Sequence, residues 1–348
     1  MGKRTKRLLG AALLSVALLG CMGAGYIHSL DLGSQPLANA QTTPNELTML
    51  KGTRPASRGR ILAVVTSSAK GGEDGAAGLE LTELSRAYYT FVANGFDVEI
   101  ASPKGGRPPV RMDDELIDVD YAFINDVEAQ KRLSNTLTLA NVDPSRYSGV
   151  YFVGGKGTMF DFPRNPAVQR VVASIYDAGG VVGAVCHGPA ALIDVTLASG
   201  RQLLESKHVT GFTNEEELFL MKNAREVFPF LLEDALSVKA GTFSTGPKYL
   251  DYTVVDGRLV TGQNPWSTWS VAEGMIRALG HQPVARKMTR EERGVAVVAA
   301  FHREGTDAAA SVRDQMGGTD KRLVLMHAVI AVMEGRLGEA YRLQLLAH

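Results

Sequence analysis

Two kinds of apolar patterning divide this chain. Short continuous apolar runs, rich in branched residues, occur at 61–65, 96–101, 147–153 and 181–185. Runs of that length bounded by turn residues read as strands buried on both faces. Between them the apolar positions take helical spacing. Leu81, Leu84, Tyr88, Phe91 and Val92 mark a helix over 79–94 that stops at Gly95. Further helices are predicted over 166–178, stopped by Gly179-Gly180, over 189–198 with Pro189 in its first turn, and over 266–279. A short strand is predicted at 207–210, and residues 252–255 and 259–261 flank Asp256-Gly257 as a two-residue hairpin. Alternation of strands and helices predicts an α/β fold, a doubly wound, mostly parallel sheet with helices on both faces. Ligands of such sheets sit beyond the carboxyl ends of the strands, so the residues there are the candidates for chemistry.

The two ends of the chain follow other patterns. Leu323, Met326, Ile330, Met333, Leu337, Tyr341 and Leu345 recur three and four apart. They predict a C-terminal helical extension over 281–348, broken near Gly335 and Gly338, with another helix around Val295, Val298 and Phe301. Its stripe suits packing on the domain or on a second copy in a homodimer. At the other end Lys3, Arg4, Lys6 and Arg7 precede an uncharged stretch over residues 8–27. A basic segment followed by an apolar one predicts export. Three fates fit: an uncleaved membrane anchor, lipidation of Cys21 within Leu18-Leu19-Gly20-Cys21, or cleavage after Ala38-Asn39-Ala40. The resulting organisation is a signal or membrane anchor over 1–28, a flexible tether over 29–59 carrying Pro36, Pro44 and Pro55, the α/β domain over 60–280, and the extension. The protein is expected on the extracytoplasmic side of a membrane.

Composition narrows the function. Lys+Arg equals Asp+Glu at 37 each, which argues against a nucleic-acid partner held by a basic face. Two cysteines cannot build a disulfide scaffold or a four-thiolate zinc site. His208, His281, His302, His327 and His348 lack metal-ligand spacing, so no metal or other cofactor is predicted.

The strongest local signal is Val181-Val182-Gly183-Ala184-Val185-Cys186-His187-Gly188-Pro189. A buried strand ends, a cysteine follows at once, and Gly-Pro opens a helix, as in a nucleophile elbow. A helix N-terminus at Cys186 predicts a thiolate favoured by partial positive charge. The His187 N–H would point into the same pocket as an oxyanion donor. Gly154-Gly155-Lys156-Gly157-Thr158 follows a neighbouring strand. Its order departs from a phosphate-binding loop, in which the lysine precedes Ser or Thr. It fits better as a turn presenting the Gly155 N–H opposite Cys186. Glu80 and Glu83 lie near the start of the helix after the first strand, and either is placed to approach the thiol and exchange protons. In Thr213-Asn214-Glu215-Glu216-Glu217, Glu216 suits a capping box with Thr213. Glu215 and Glu217 remain equal candidates for orienting an imidazole. Asn264-Pro265 follows another strand end and is a candidate pocket residue.

The segment Ala184-Val185-Cys186-His187-Gly188-Pro189 resembles the nucleophile motif of the ThiJ/PfpI superfamily, related to class I glutamine amidotransferases. Gly78-Leu79-Glu80-Leu81-Thr82-Glu83-Leu84, Ala101-Ser102-Pro103-Lys104-Gly105-Gly106, Gly155-Lys156-Gly157-Thr158-Met159-Phe160-Asp161, Thr210-Gly211-Phe212-Thr213-Asn214-Glu215-Glu216-Glu217 and Gly257-Arg258-Leu259-Val260-Thr261-Gly262-Gln263-Asn264-Pro265 extend the resemblance in family order. They are similar to the glyoxalase III-like branch, which includes stress chaperones. The resemblance implies a flavodoxin-like sandwich with nucleophile Cys186, imidazole partner His187, triad acid Glu217, thiol-facing carboxylate Glu83 and oxyanion donor Gly155. Lys156 stands where the family often has His, and neither end of the chain belongs to the branch pattern. The implied activity is cofactor-free, glutathione-independent conversion of a 2-oxoaldehyde such as methylglyoxal to a 2-hydroxy acid such as D-lactate. Two other readings stand beside it: a Cys-His-Glu hydrolase (amidase, deglycase or peptidase), and a non-enzymatic, membrane-tethered chaperone or redox sensor.

Overall fold

The computed structural model describes residues 32–52, 55–71, 77–112 and 115–347. The readings made for residues 1–31, Cys21 included, fall outside them. The chain forms two compact units, one of residues 38–287 and the other of residues 288–348 with the described residues before 38.

In the first unit seven strands form the main sheet: β1 (Arg60–Val64), β2 (Asp97–Ser102), β3 (Leu137–Thr138), β4 (Gly149–Phe152), β5 (Val181–Val185), β6 (Thr253–Asp256) and β7 (Leu259–Gly262). Their order is β6-β7-β5-β4-β1-β2-β3. All neighbours are parallel except the hairpin β6–β7. β4 and β5 are buried along their whole length, which requires cover on both faces and accounts for their unbroken apolar sequences. The chain runs from β1 to β2 on one side, then returns to place β4 on the other. That reversal opens a crevice at the carboxyl ends of β1 and β4, where doubly wound sheets bind ligands.

Helices follow the strands: α1 (Leu81–Ala93), α2 (Asp118–Asn125), α3 (Val127–Ser134), α4 (Pro166–Asp177), α5 (Asn214–Leu220), α6 (Leu232–Lys239) and α7 (Thr268–Ala278). α7 packs against α1, β5 and β7, and α4 against β4 and β5. α7 approaches so closely that a Cβ on Gly183 would lie 2.2 Å from the Met275 sulfur. A buried ion pair ties α1 to α2: the Arg86 guanidinium donates to Asp120 at 3.2 Å, and Ser85 and the Ile117 N–H donate to the same carboxylate. Asp161, in the helical turn Thr158–Asp161, accepts from the Thr66 hydroxyl and the Ser67 N–H. That fixes the chain leaving β1 against the chain leaving β4.

Three local expectations give way. Residues 38–52 are docked rather than a flexible tether: Leu47 and Leu50 are buried, the Asn39 N–H donates to Asp118, and the Asn125 amide donates to the carbonyls of Ala40 and Thr42. These partners are some eighty residues away, beyond local patterning. Instead of an α-helix over 189–198, a 3-10 turn spans Gly188–Leu192 and ends at Ile193, which is extended; it opens where the chain passes so close to Phe152 that a Cβ on Gly188 would lie 2.3 Å from its carbonyl oxygen. The strand expected at 207–210 shortens to His208–Val209 and pairs with Thr242–Phe243 outside the main sheet.

Among the described residues the second unit holds four α-helices, α8 (Arg290–Glu304), α9 (Thr306–Met316), α10 (Lys321–Met333) and α11 (Leu337–Leu346). Thr289 and Glu292 form a capping box at the start of α8. Gly305 and Gly335, both at positive φ, separate α8 from α9 and α10 from α11. The second expected break, Gly338, lies within α11.

Candidate active site

Cys186 immediately follows β5 and holds φ at +59°. A non-glycine residue there is strained by about 1–3 kcal/mol, and such strain persists only where the surroundings fix it. Here the Cys186 N–H donates to the Gly262 carbonyl and the Cys186 carbonyl accepts from the Phe212 N–H, both at 2.9 Å. The Thr158 hydroxyl donates to the His187 carbonyl at 3.2 Å. Three neighbouring segments thus hold the corner in the shape of a nucleophile elbow.

The structure brings four of the candidate side chains together. Cys186 Sγ lies 3.2 Å from His187 Nδ1, and His187 Nε2 lies 2.5 Å from Glu217 Oε2. Glu217 Oε2 accepts the hydrogen bond from Nε2–H, a tautomer that turns the Nδ1 lone pair toward sulfur. Glu83, in the first turn of α1, is fully buried and hydrogen-bonds to the thiol. Its Oε2 also accepts the Gly154 N–H at 2.7 Å, and the Tyr151 hydroxyl donates to the Glu83 carbonyl at 2.9 Å. Gly154 has to be glycine for this approach, since a Cβ would lie 2.5 Å from Glu83 Oε2 and 2.9 Å from Cys186 Cβ.

Of the residues left open by their spacing, Glu215 points elsewhere and pairs with Lys248 at 2.5 Å. Gly155 takes φ +98°, and a Cβ there would lie 2.3 Å from the Gly78 carbonyl oxygen and 2.7 Å from the Glu80 nitrogen. Among the described residues the N–H groups of Gly155 and His187 meet no hydrogen-bond acceptor. Lys156 is half-buried at the tip of the same turn. Asn264, the other pocket candidate, is fully buried, and its amide donates to Glu216 at 2.9 Å and to the Leu250 carbonyl at 2.8 Å.

The expected thiolate is overturned. Burial, and after it the charge and hydrogen bond of Glu83, push the Cys186 thiol well above its ordinary range. The five-residue 3-10 turn that follows offsets neither effect. The resting sulfur is therefore a thiol whose proton faces two acceptors, the Glu83 carboxylate and the His187 Nδ1.

Two features lay outside the sequence reading. Glu216 caps α5 with Thr213, as expected, but its other oxygen accepts from the Tyr249 N–H, Gln263 and Asn264. It thereby locks the helix that carries Glu217 to the end of β7. A string of buried polar residues near strand ends is the only signal for it. His187 also stacks near Phe212, with ring centroids 4.6 Å apart, and Phe228 lies 6.0 Å away. These rings keep water from the imidazole and strengthen its pairing with Glu217.

The fold recurs in known proteins. The pattern of the DJ-1/PfpI family matches residues 75–278. The chain belongs to that family. It is 34% identical over 223 residues to a glutathione-independent glyoxalase, HSP31, of Saccharomyces cerevisiae, covering 59% of this chain and 91% of the relative. Among solved structures, the Rapid Encystment Protein 24 KDa of Francisella tularensis is 34% identical with a TM-score of 0.60, covering 64% of this chain and 99% of that one. Glyoxalase III of Candida albicans is 29% identical with a TM-score of 0.58, covering 64% and 98%. The family match places Cys186, His187, Glu217 and Glu83 inside the shared fold and ends before α8.

Replacing Glu83 by Gln keeps the shape and removes the negative charge that holds the thiol up. The pH midpoint for alkylation of Cys186 by iodoacetamide should then move down. An unchanged or higher midpoint contradicts the pairing of Glu83 with the thiol.

Proposed function

We propose that this protein is a glutathione-independent glyoxalase, converting a 2-oxoaldehyde such as methylglyoxal to a 2-hydroxy acid such as lactate. The observation that carries the reading is the buried Glu83 carboxylate hydrogen-bonded to the Cys186 thiol, in addition to the His187–Glu217 pair. A Cys-His-acid hydrolase needs one base beside its sulfur. A reaction that also moves a proton between adjacent carbons needs a second group that can take and return it. The glyoxalase names of the relatives support the same reading.

The chemistry balances with water alone. Sulfur adds to the aldehyde carbon as its proton passes to Glu83 or His187 Nδ1, giving a hemithioacetal. The N–H groups of Gly155 and His187 are the donors for the oxygen that becomes negative. One protein base removes the proton from the former aldehyde carbon to give an enediol, and reprotonation of the adjacent carbon leaves a thioester. Water cleaves the thioester, releases the 2-hydroxy acid and restores the thiol. The aldehyde carbon is oxidised and its neighbour reduced, so no external electron acceptor enters. Glu217 holds His187 in the tautomer that the first step requires.

Lactate formation from methylglyoxal without glutathione is the expected assay result. Cys186→Ala should abolish it, and Glu83→Gln and His187→Ala should each lower kcat by about 10²–10⁴-fold, the usual contribution of a positioned acid or base. No lactate from the wild type, full turnover by Cys186→Ala, or preferred cleavage of amide or glycated-peptide substrates would reject the assignment.

We also propose attachment to the extracytoplasmic side of a membrane through the N-terminus. The basic residues 3–7 followed by the uncharged residues 8–27 support it, and Cys21 is the proposed lipid acceptor. In cells fed a labelled fatty acid, the wild type should carry label in the membrane fraction and Cys21→Ser should not. Label retained by Cys21→Ser, or wild type found only in the soluble fraction, contradicts this.

A further inference from the structure

Glu216 is fully buried beside the site, yet the mechanism gives it no chemistry. Neutral donors meet both of its oxygens. Oε2 accepts from the Thr213 N–H at 3.1 Å and the Thr213 hydroxyl at 2.9 Å. Oε1 accepts from the Tyr249 N–H at 2.8 Å, the Gln263 amide at 3.0 Å and the Asn264 amide at 2.9 Å. Taking a carboxylate out of water is costly, and here hydrogen bonds rather than a cation offset the cost.

The two oxygens reach different parts of the catalytic group. The Oε2 side caps α5, whose next residue, Glu217, accepts from His187. Phe212, just before the cap, donates to the Cys186 carbonyl. The Oε1 side holds Gln263 and Asn264, which directly follow Gly262, and the Gly262 carbonyl accepts the Cys186 N–H at 2.9 Å. One carboxylate therefore joins the segment that fixes the sulfur to the helix that fixes the imidazole. The backbone bends to serve it. Tyr249 holds φ at +55°, a left-handed conformation uncommon for a bulky residue. Its N–H goes to the Glu216 side chain and its hydroxyl to the Glu216 carbonyl at 2.9 Å.

We propose that Glu216 is a positioning residue for the reaction, setting the placement of the His187–Glu217 pair against the Cys186 sulfur by clamping α5 to the end of β7. Its side chain bonds to none of the reacting groups and acts through Glu217 and the Cys186 corner. Glu216→Gln keeps the size of the side chain and replaces one acceptor oxygen by an NH2 group, which faces donors whichever side it takes. α5 has to shift to relieve that clash, and Glu217 shifts with it. A displacement of about 1 Å in such a constellation costs about 10²-fold in rate.

The test combines steady-state kinetics on methylglyoxal with proton NMR of the full chain in mild detergent. Only the rate readout rests on the glyoxalase reading. In the wild type the His187 Nε2 proton, shared with Glu217 across 2.5 Å, should resonate well downfield of ordinary imidazole N–H protons. In Glu216→Gln that resonance should move upfield or vanish, and kcat should fall about 10²-fold with KM unchanged. Asn264→Ala, which removes one donor to the carboxylate, should move the resonance the same way and lower kcat about tenfold. Asp126→Ala, which removes the cap of α3 and the Tyr89 contact, should lower the melting temperature and leave kcat and the resonance as they are. If Glu216→Gln does not fold, Asn264→Ala decides alone. A wild type that makes no lactate but shows the resonance rejects the glyoxalase reading, and loss of the resonance in Glu216→Gln then supports the clamp by itself. A wild type without the resonance, a folded Glu216→Gln with wild-type kcat and resonance, a change confined to KM, or an equal loss in Asp126→Ala would each overturn the proposal.

Discussion

A single thiol proton lying between a buried carboxylate and a buried imidazole is the interaction on which the rest of this site depends. Neither acceptor reaches the sulfur through flexible geometry. Cys186 is held in a left-handed conformation at the end of β5, Glu83 is delivered by the first turn of α1, and His187 is held by Glu217. The strain at the corner is modest beside the interactions that fix it. Those include hydrogen bonds from three separate segments of the fold and glycines at 154 and 188, where the backbone passes within reach of Glu83 and Phe152.

This arrangement changes how the nucleophile is activated. A free thiolate at rest would need positive charge nearby, and the sulfur has carboxylates around it instead. The proton leaves as the carbon–sulfur bond forms, and the carboxylate that accepts it is then placed to return it. A resting thiol is also less prone to oxidation than a standing thiolate, because susceptibility follows thiolate character and exposure. Burial and the Glu83 pairing thus weigh against the redox-sensor reading and in favour of turnover.

Much of this was legible in the sequence, and the gaps have physical causes. Continuous apolar strands and glycine-stopped helices announce the sheet because burial on both faces leaves little room for polar residues. The Cys-His-Gly-Pro corner is legible because the elbow constrains neighbouring positions. The choice between Glu215 and Glu217 is not legible from spacing: residues two apart on a helix point to different sides, and the side that matters depends on how α5 docks. Glu216, through Tyr249, Gln263 and Asn264, determines that docking from more than thirty residues away. The ionisation of Cys186 is not legible for a related reason. A sequence displays a helix start but not the depth of burial or the carboxylate opposite. The docking of residues 38–52 rests on Asp118 and Asn125, which no local pattern connects to them.

The central claim is that the sulfur rests protonated between Glu83 and His187. Its most direct test is an ultraviolet difference titration of thiolate absorbance, wild type minus Cys186→Ser. The account predicts no thiolate signal at neutral pH and a rise only above the ordinary cysteine value of about 8.5. A thiolate already formed at or below neutrality would contradict it.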